Sequence, residues 1–434
     1  MILPAQVIQK KRDGGALSVE EIRHFILGFT RGEIPDYQMS ALAMAICWRG
    51  MNTDETFALT RAMVESGKTI EWPHPRKSFY ADKHSTGGIG DKVSLILAPL
   101  VAACGVRVPM ISGRGLGPTG GTLDKLASIA GYRTDLSLDE IVLQTDRVGC
   151  CITGATPELA PADRKLYALR DVTATVACLP LIVASIMSKK LAENVDGLVF
   201  DVKWGSGAFM RTRDEAHDLA RAMVAVGKHF GKRVVALITD MNQPLGLCVG
   251  NALEVRECLE ILSGDEMPED VMEVTFALAG EMLLMAGRVK TAAEAEALLQ
   301  AKLESGEARA KFEEMVRAQG FTGTFRGLAL TQRTRDILSP RSGYVQSIAT
   351  DQIGYALIAL GGGRKIAGEA IDPTVGFECP VKIGEHVETS SPVVEMHYND
   401  EVRAAEAERL IQQAYIIGDE PPAETPTLIV ERIE

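Results

Sequence analysis

The sequence predicts an α/β protein with a discontinuous helical lobe and a larger mixed α/β lobe that ends in a β-rich subdomain. Helical periodicity fills the first 66 residues and returns over 161–193. Elsewhere short apolar runs alternate with helical stretches, which is typical of buried parallel strands joined by crossover helices. We therefore expect a helical lobe of 1–66 and 161–193, an α/β lobe of 79–155 and 196–335, and a C-terminal α+β subdomain of 336–434.

Local patterns predict the individual elements. Ser18 and Glu21 form a capping box at the start of an amphipathic helix. A second helix is expected over 36–48, and Thr53 is expected to cap a third. Alternation near Val381–Val394 indicates small β structure in the C-terminal part. Buried strands are expected at the apolar runs Val106–Ile111, Gly197–Val202 and Arg233–Ile238.

Composition indicates an ordinary cytoplasmic protein. Of 434 residues 46% are hydrophobic and 24% are charged, and we expect neither a membrane span nor a secretory signal. The eight cysteines are scattered without a CxxC pair, so we expect reduced thiols and no structural zinc. A net charge of −12 argues against nucleic-acid binding.

Two glycine-rich segments, 82–94 and 112–125, each follow an expected strand and precede an expected helix. Glycines let the backbone turn tightly and point several amides into one space, and a helix N-terminus favours an anion. Lys83 supplies a positive charge, and the stretches 80–130 and 161–213 are net positive in this acidic chain. Two such loops that converge on one point would form a phosphate-binding cage.

Other interpretations of these glycines stay open but are less specific. Gly115 to Gly120 matches GxGxxG, yet a lone match is weak evidence for a dinucleotide site and a proline interrupts it. Neither segment closes with the Gly-Lys-Ser or Gly-Lys-Thr of a Walker A loop. Ordinary turns would explain one such segment better than two that also carry serine, threonine and lysine.

A third region offers side chains suited to a flat heterocycle. On a helix, Tyr167 and Arg170 are three residues apart and share a face, and Ser185 and Lys189 are four apart and do likewise. These faces present an aromatic ring, a planar cation, a hydroxyl and an ammonium. Alone they would more often be solvated helix faces, so their significance depends on the nearby phosphate cage.

At these residues the chain resembles the thymidine and pyrimidine-nucleoside phosphorylases. The resemblance runs along nearly the whole chain, and 112–125 is close to the signature of that family. It implies a homodimer with a cleft between its lobes, acting in nucleoside salvage on a pyrimidine nucleoside and phosphate, without a cofactor. The implied reaction is the reversible phosphorolysis of thymidine and deoxyuridine to the free base and 2-deoxy-α-D-ribose 1-phosphate.

The resemblance also assigns residues to the site. The implied phosphate ligands are Lys83, Ser85, Ser94, Ser112 and Thr122. The implied pyrimidine contacts are Leu116, Tyr167, Arg170, Ser185 and Lys189. Arg170, Lys189 and a protonated or neutral His84 are implied to stabilise the negative charge that moves onto the base as the glycosidic bond stretches.

Among the positions that depart from patterns in the family, three bear on ligand or ion binding. Some relatives bind a monovalent cation where this chain has Lys92, and we expect that the Lys92 ammonium pairs with Glu257 in place of that cation, with no metal bound. Met110 stands where relatives that also accept uridine carry lysine, which favours 2′-deoxy substrates because a thioether cannot donate to a ribose hydroxyl. Pro118 replaces a usual histidine in the second glycine-rich segment.

Three alternative functions remain at this point. The first is a broad pyrimidine-nucleoside phosphorylase that also acts on uridine. The second is an anthranilate-type phosphoribosyltransferase, which shares the fold but needs magnesium and an acidic pair that is not obvious here. The third is a carrier protein, since the segment 383–394 is similar to biotinyl and lipoyl modules but lacks their lysine on an exposed hairpin.

Overall fold

The computed structural model describes residues 2–75, 77–115, 117–118, 120–325, 328–366 and 368–434. It has the predicted α/β class. The helices are α1 (Pro4–Arg12), α2 (Val19–Arg31), α3 (Asp36–Arg49), α4 (Thr53–Glu65), α5 (Val93–Ala103), α6 (Thr122–Ala127), α7 (Leu138–Val148), α8 (Pro161–Val172), α9 (Leu179–Ala192), α10 (Arg213–His229), α11 (Asn251–Ser263), α12 (Glu269–Met285), α13 (Ala292–Glu304), α14 (Glu307–Ala318), α15 (Thr350–Leu360) and α16 (Glu401–Ala414). The strands are β1 (Ala81–Ser85), β2 (Val108–Ser112), β3 (Cys150–Gly154), β4 (Gly197–Trp204), β5 (Arg233–Asp240), β6 (Cys248–Val249), β7 (Thr334–Leu338), β8 (Gly343–Ile348), β9 (Gly376–Glu378), β10 (His386–Val387), β11 (Pro392–His397), β12 (Tyr415–Gly418) and β13 (Ile429–Ile433).

Helices α1 to α4 share one apolar core with α8 and α9, although about a hundred residues of chain separate the two groups. Phe25 of α2, Leu166 of α8 and Leu181 of α9 are all buried in it. The periodic apolar residues of these helices can leave water only by packing against one another. The helical lobe is therefore discontinuous, as predicted.

Side-chain caps define the helix starts in this lobe. The capping box predicted at Ser18 is confirmed. The expectation for Thr53 is wrong, because the side chain of Asn52 accepts a hydrogen bond from the Glu55 amide at 2.8 Å and is the N-cap. Glu55 also forms a buried ion pair with Lys11 at 2.7 Å, which connects α4 to α1.

A twisted parallel sheet of order β3-β2-β1-β4-β5 forms the centre of the α/β lobe. β2 lies beside β1 through a parallel bridge between Tyr80 and Arg107. Val199 of β4 is buried in one core, whereas its neighbours Leu198 and Phe200 are buried in another. Both faces of the sheet are thus covered, which explains why the predicted strands are continuous apolar runs.

The C-terminal subdomain contains two small sheets, β6-β9-β11-β7 and β10-β8-β12. The alternating segment Val381–Val394 holds β10 and the start of β11, with a turn before β10. Strand pairing joins the two sides of the boundary expected at residue 336 in two places. β6 of the α/β lobe pairs with β9, and β13 returns to extend the large sheet antiparallel to β5. Within the described ranges, no helix combines the length and the apolar character needed to cross a membrane.

Candidate active site

The order of the strands reverses between β1 and β4, which marks one place at the carboxyl edge of the sheet. The chain proceeds from β1 to β2 and β3 on one side, whereas β4 and β5 lie on the other. In open parallel sheets, ligands bind outside the carboxyl ends of the strands at such a reversal. Ser85 and Ser112, the last residues of β1 and β2, lie at this edge.

The first glycine-rich segment folds back over the end of β1. Lys83 and Ser85 are two residues apart on the strand and so project from the same face. The Lys83 ammonium donates to Ser94 Oγ, 3.3 Å away in the first turn of α5. Ser85 Oγ donates to Asp91 Oδ2 at 2.5 Å and accepts from the Gly87 amide at 3.1 Å. Lys83 and Ser94 are therefore in direct contact, with Ser85 at the same strand end.

The two ends of the second glycine-rich segment meet between Ser112 at the end of β2 and Thr122 at the start of α6. The Leu123 amide donates to the Gly113 carbonyl at 3.2 Å, which brings the two ends of the loop together. A β-carbon at Gly121 would overlap the backbone on the opposite side of the loop. Glycine is therefore required here by close approach. Leu116, an expected pyrimidine contact in this loop, lies outside the described residues.

A buried set of charges joins the two loops. Lys125 Nζ donates to the Asp91 carbonyl at 2.6 Å. Asp201 Oδ2 of β4 lies 2.9 Å from Lys203 Nζ and 3.6 Å from Lys83 Nζ. Burial raises the pKa of Asp91, but the charges of these three lysines outweigh it and hold the pKa below its usual value. The Lys83 side chain is buried, and its ammonium lies farther from Asp201 than the ammonium of Lys203 does.

His84 projects from the opposite face of β1 to Lys83. Its ring packs edge-on against Phe200 of β4, with 6.3 Å between ring centroids. Burial lowers the pKa of His84 well below its ordinary value, and the charges of Lys190, Lys189 and Lys83 lower it further. His84 is therefore neutral near pH 7, and of the two expected forms the structure favours the neutral N–H donor.

Ser185 and Lys189 lie together on α9, on the helical side of the site. Lys189 Nζ donates to the carbonyl and to the Oγ of Ser185, at 2.6 and 3.2 Å. It also forms an ion pair with the buried carboxylate of Asp163 on α8. Sequence analysis missed Asp163. The available signal was its position four residues before Tyr167, which places both on one face of α8.

Tyr167 and Arg170 share a face of α8 but differ in exposure. Tyr167 is 43% exposed and Arg170 is 1% exposed. The Arg170 guanidinium donates to the backbone carbonyls of Thr175, Val176 and Leu181 at 3.1, 2.6 and 3.0 Å. Most of the Arg170 guanidinium, which the sequence predicted to be available to a ligand, is therefore hydrogen-bonded to backbone carbonyls between α8 and the start of α9. Within the described residues, one N–H on each terminal nitrogen is left for a ligand.

Lys190, next to Lys189, connects the helical side to the strand ends. Its buried ammonium contacts Asp82 of β1 at 2.5 Å, the Ile111 carbonyl of β2 at 2.8 Å and Glu193 at 2.8 Å. Burial lowers the pKa of Lys190, but Asp82 and Glu193 raise it overall, so the ammonium stays charged. These contacts hold the end of α9, which carries Lys189, against β1 and β2, the strands that lead into the two glycine-rich segments.

Lys92, at the N-terminal end of α5, contacts Glu257 of α11 in the interior. Its ammonium lies 2.7 Å from Glu257 Oε2 and donates to the Leu245 carbonyl at 2.7 Å. Glu257 also accepts from the amides of Leu247 and Cys248, each at 2.8 Å. Within the described ranges, no group of three or more His, Cys, Asp or Glu side chains is arranged to hold a metal ion.

Comparison with known proteins places the whole chain among related sequences. A helical bundle domain of a glycosyl transferase family matches 5–67, its a/b domain matches 77–309, and a pyrimidine nucleoside phosphorylase C-terminal domain matches 344–418. Thymidine phosphorylase of Rhizobium meliloti (strain 1021) is 47% identical over 99% of this chain and 98% of the relative. Thymidine phosphorylase of Burkholderia cenocepacia (strain HI2424) is 44% identical over 100% of both.

A solved structure is similar in fold. Anthranilate phosphoribosyltransferase from Thermus thermophilus superposes with a TM-score of 0.58, covering 72% of this chain and 99% of its own. At 19% sequence identity this likeness supports the fold alone.

Proposed function

The chain belongs to the family of thymidine and pyrimidine-nucleoside phosphorylases, and we propose that it catalyses the reversible phosphorolysis of thymidine and deoxyuridine. The products are the free base and 2-deoxy-α-D-ribose 1-phosphate. Full-length identity of 44–48% to thymidine phosphorylases supports this function. The structural support is that Lys125 joins the two glycine-rich segments through the Asp91 carbonyl, while Lys190 holds the end of α9, next to Lys189, against the strands that precede both segments.

In this reaction a phosphate oxygen attacks C1′ of the sugar while the bond from C1′ to the base nitrogen breaks. The bonding electron pair passes to the pyrimidine ring, and the proton of the attacking hydrogen phosphate is transferred to the base, which leaves as the neutral free base. Lys83 and Ser94 hold the phosphate, and Ser185 and Lys189 donate to the ring, where negative charge develops. Neutral His84 adds one N–H donor. Rate acceleration follows because these donors are already positioned before the charge appears.

The sugar preference rests on a single position. Met110 of β2 is buried in the core and offers no hydrogen-bond donor to a ribose 2′-hydroxyl. A preference for 2′-deoxynucleosides over uridine therefore stays a proposal. The cytoplasmic location expected from the cysteines is likewise a proposal.

The helical lobe supports a homodimer. Tyr37, Met44 and Trp48 lie on one face of α3 by their spacing and are 74%, 47% and 80% exposed. Val172 and Leu179, at facing ends of α8 and α9, are 79% and 37% exposed. Helix α3 packs against α8 and α9, and exposed apolar side chains on packed helices are typical of a protein–protein interface. We propose that a second copy of the chain covers them.

A steady-state assay tests the function directly. Thymidine, deoxyuridine and uridine are each incubated with and without phosphate, and the free base is measured. We expect base release that requires phosphate and is fastest with the deoxynucleosides. Release without phosphate would indicate a hydrolase, and activity only with phosphoribosyl pyrophosphate and an acceptor would indicate a phosphoribosyltransferase.

A further inference from the structure

We propose that Arg364, in the C-terminal subdomain, is a positioning residue that fixes Gly115 of the second glycine-rich segment relative to Asp124 and so supports phosphate binding. The proposal rests on the function proposed above. It concerns a residue far from the loop in sequence, and it assigns the C-terminal subdomain a part in phosphate binding.

Arg364 contacts the base of the loop through Asp124. Its Nη1 lies 2.7 Å from Asp124 Oδ2 and 3.4 Å from the Gly115 carbonyl oxygen. The same carboxylate oxygen accepts a hydrogen bond from the Gly115 amide at 2.7 Å. Arg364 is itself anchored by donating from Nε to the Glu369 carbonyl at 3.0 Å. One guanidinium therefore contacts both Asp124 and Gly115, which are also hydrogen-bonded to each other.

Burial makes this contact more significant than the neighbouring one. The side chains of Arg364 and Asp124 are 11% and 3% exposed. Arg114 also binds Asp124, at 2.9 Å, but its side chain is 49% exposed, so solvent screens that pair. Arg364 is accordingly the less screened of these two cationic partners of Asp124, a carboxylate two residues after the expected phosphate ligand Thr122.

Helix α15 of the same subdomain supports the loop at a second point. A β-carbon at Gly354 would overlap the carbonyl oxygen of Pro118, and it would approach Ile89 Cδ1 of the first glycine-rich segment at 2.7 Å. The helix backbone therefore lies directly against both segments. Arg364 and α15 together place the C-terminal subdomain in contact with both glycine-rich segments.

Loss of Arg364 has two expected consequences for phosphate. Asp124 would keep only an exposed cationic partner, so its negative charge would repel a dianion more strongly. Gly115 would lose a contact that restrains its backbone, and the loop amides would spend less time oriented toward the ligand. Neither consequence reaches Ser185 or Lys189, because both lie on α9 of the helical lobe.

The test compares phosphate and nucleoside binding in three variants. Arg364→Gln removes the charge, Arg364→Lys keeps the charge but cannot bridge both groups, and Arg409→Gln changes an exposed arginine of α16 as a matched control. The dissociation constant for inorganic phosphate is measured by calorimetry, and KM values are measured for phosphate and thymidine. For Arg364→Gln we expect phosphate affinity to fall by about tenfold while KM for thymidine stays within about twofold of the parent. Arg364→Lys should be intermediate and Arg409→Gln unchanged.

The outcomes separate this proposal from the proposed function. Unchanged phosphate affinity in Arg364→Gln overturns it. Equal losses of phosphate and thymidine affinity also overturn it, because they indicate a general structural role. If Arg364→Gln does not fold, Arg364→Lys is judged by the same criteria. If the parent binds phosphate, and Arg364→Gln binds it more weakly, but the parent does not cleave thymidine, the positioning role stands and the proposed function fails.

Discussion

Lys92 Nζ lies 2.7 Å from Glu257 Oε2, and neither side chain is more than 2% exposed. Burial lowers the pKa of Lys92, but Glu257 and Glu254 raise it overall, so the ammonium is charged at any physiological pH. A buried carboxylate that loses its cationic partner is strongly destabilising, because it has already left water. The pair therefore makes the interior dependent on a positive charge at this position.

Substitution at Lys92 should expose that dependence. We expect Lys92→Met to lower the free energy of unfolding by about 3 kcal/mol. Lys92→Thr should recover much of the loss in potassium chloride but not in choline chloride of equal ionic strength, because potassium can then occupy the position. Chemical denaturation in the two salts measures this. The parent should show no such difference, and an ordered cation beside Lys92 in a parent crystal would refute the interpretation.

His84 and Arg170 should affect different kinetic constants. His84→Ala removes an N–H donor that matters most when charge develops on the base, so we expect kcat to fall by about a hundredfold with KM for thymidine little changed. Arg170→Ala frees the carbonyls of Thr175, Val176 and Leu181, so it should raise KM for thymidine and also lower Tm. Equal effects of both substitutions on kcat alone would contradict these roles.

The depressed pKa of His84 predicts a dependence of stability on pH. In the unfolded chain the pKa of histidine is about 6.5, whereas in the folded protein burial and nearby lysines keep it lower. Between the two values the unfolded state binds more protons, so stability is lost as pH falls below about 6.5. From pH 7.5 to 5.5, urea titrations should show the parent losing about 1 kcal/mol relative to His84→Asn. His24→Asn, a change at an exposed histidine of α2, is the control. Parallel curves of stability against pH for the parent and His84→Asn would show the prediction to be wrong.

Asp163 should act on the nucleoside through Lys189. Its carboxylate is ion-paired with Lys189, which in turn donates to Ser185. Asp163→Asn keeps the shape but removes the charge that orients the ammonium, so we expect KM for thymidine to rise about tenfold and KM for phosphate to stay constant. Asp171→Asn, an exposed change on the same helix, should alter neither constant. A rise in both KM values for Asp163→Asn would indicate a structural role instead.

The exposed face of α3 should control association. Trp48→Glu places a charge in the apolar surface that a second copy would cover, so we expect sedimentation analysis to show a shift from dimer to monomer. Val402→Glu is the matched control, since Val402 is also 80% exposed but lies on α16 of the C-terminal subdomain. A parent that sediments as a monomer would rule out this interface.

Local sequence patterns predicted the secondary structure well where one strong signal was present. The continuous apolar runs at β2, β4 and β5 and the capping box at Ser18 are all found. The assignment of a cap to Thr53 failed because Asn52, the residue before it, completes the reciprocal hydrogen bonds with Glu55. The return of β13 to the large sheet has no local signal, since strand pairing depends on which distant edge is free.

Residue type and spacing predicted two glycine-rich segments between strand and helix and a pair of helix faces bearing Tyr167 and Lys189. That these groups bind an anion and a pyrimidine stays a prediction. They could not specify how each side chain is engaged, because burial and hydrogen-bond partners come from segments far apart in the chain. Arg170 could be recognised as a cation on a helix, yet its three carbonyl partners exist only after α8 and α9 pack together. In the same way the lowered pKa of His84 depends on its burial and on lysines from α9, and Asp124 is paired with an arginine that follows it by 240 residues.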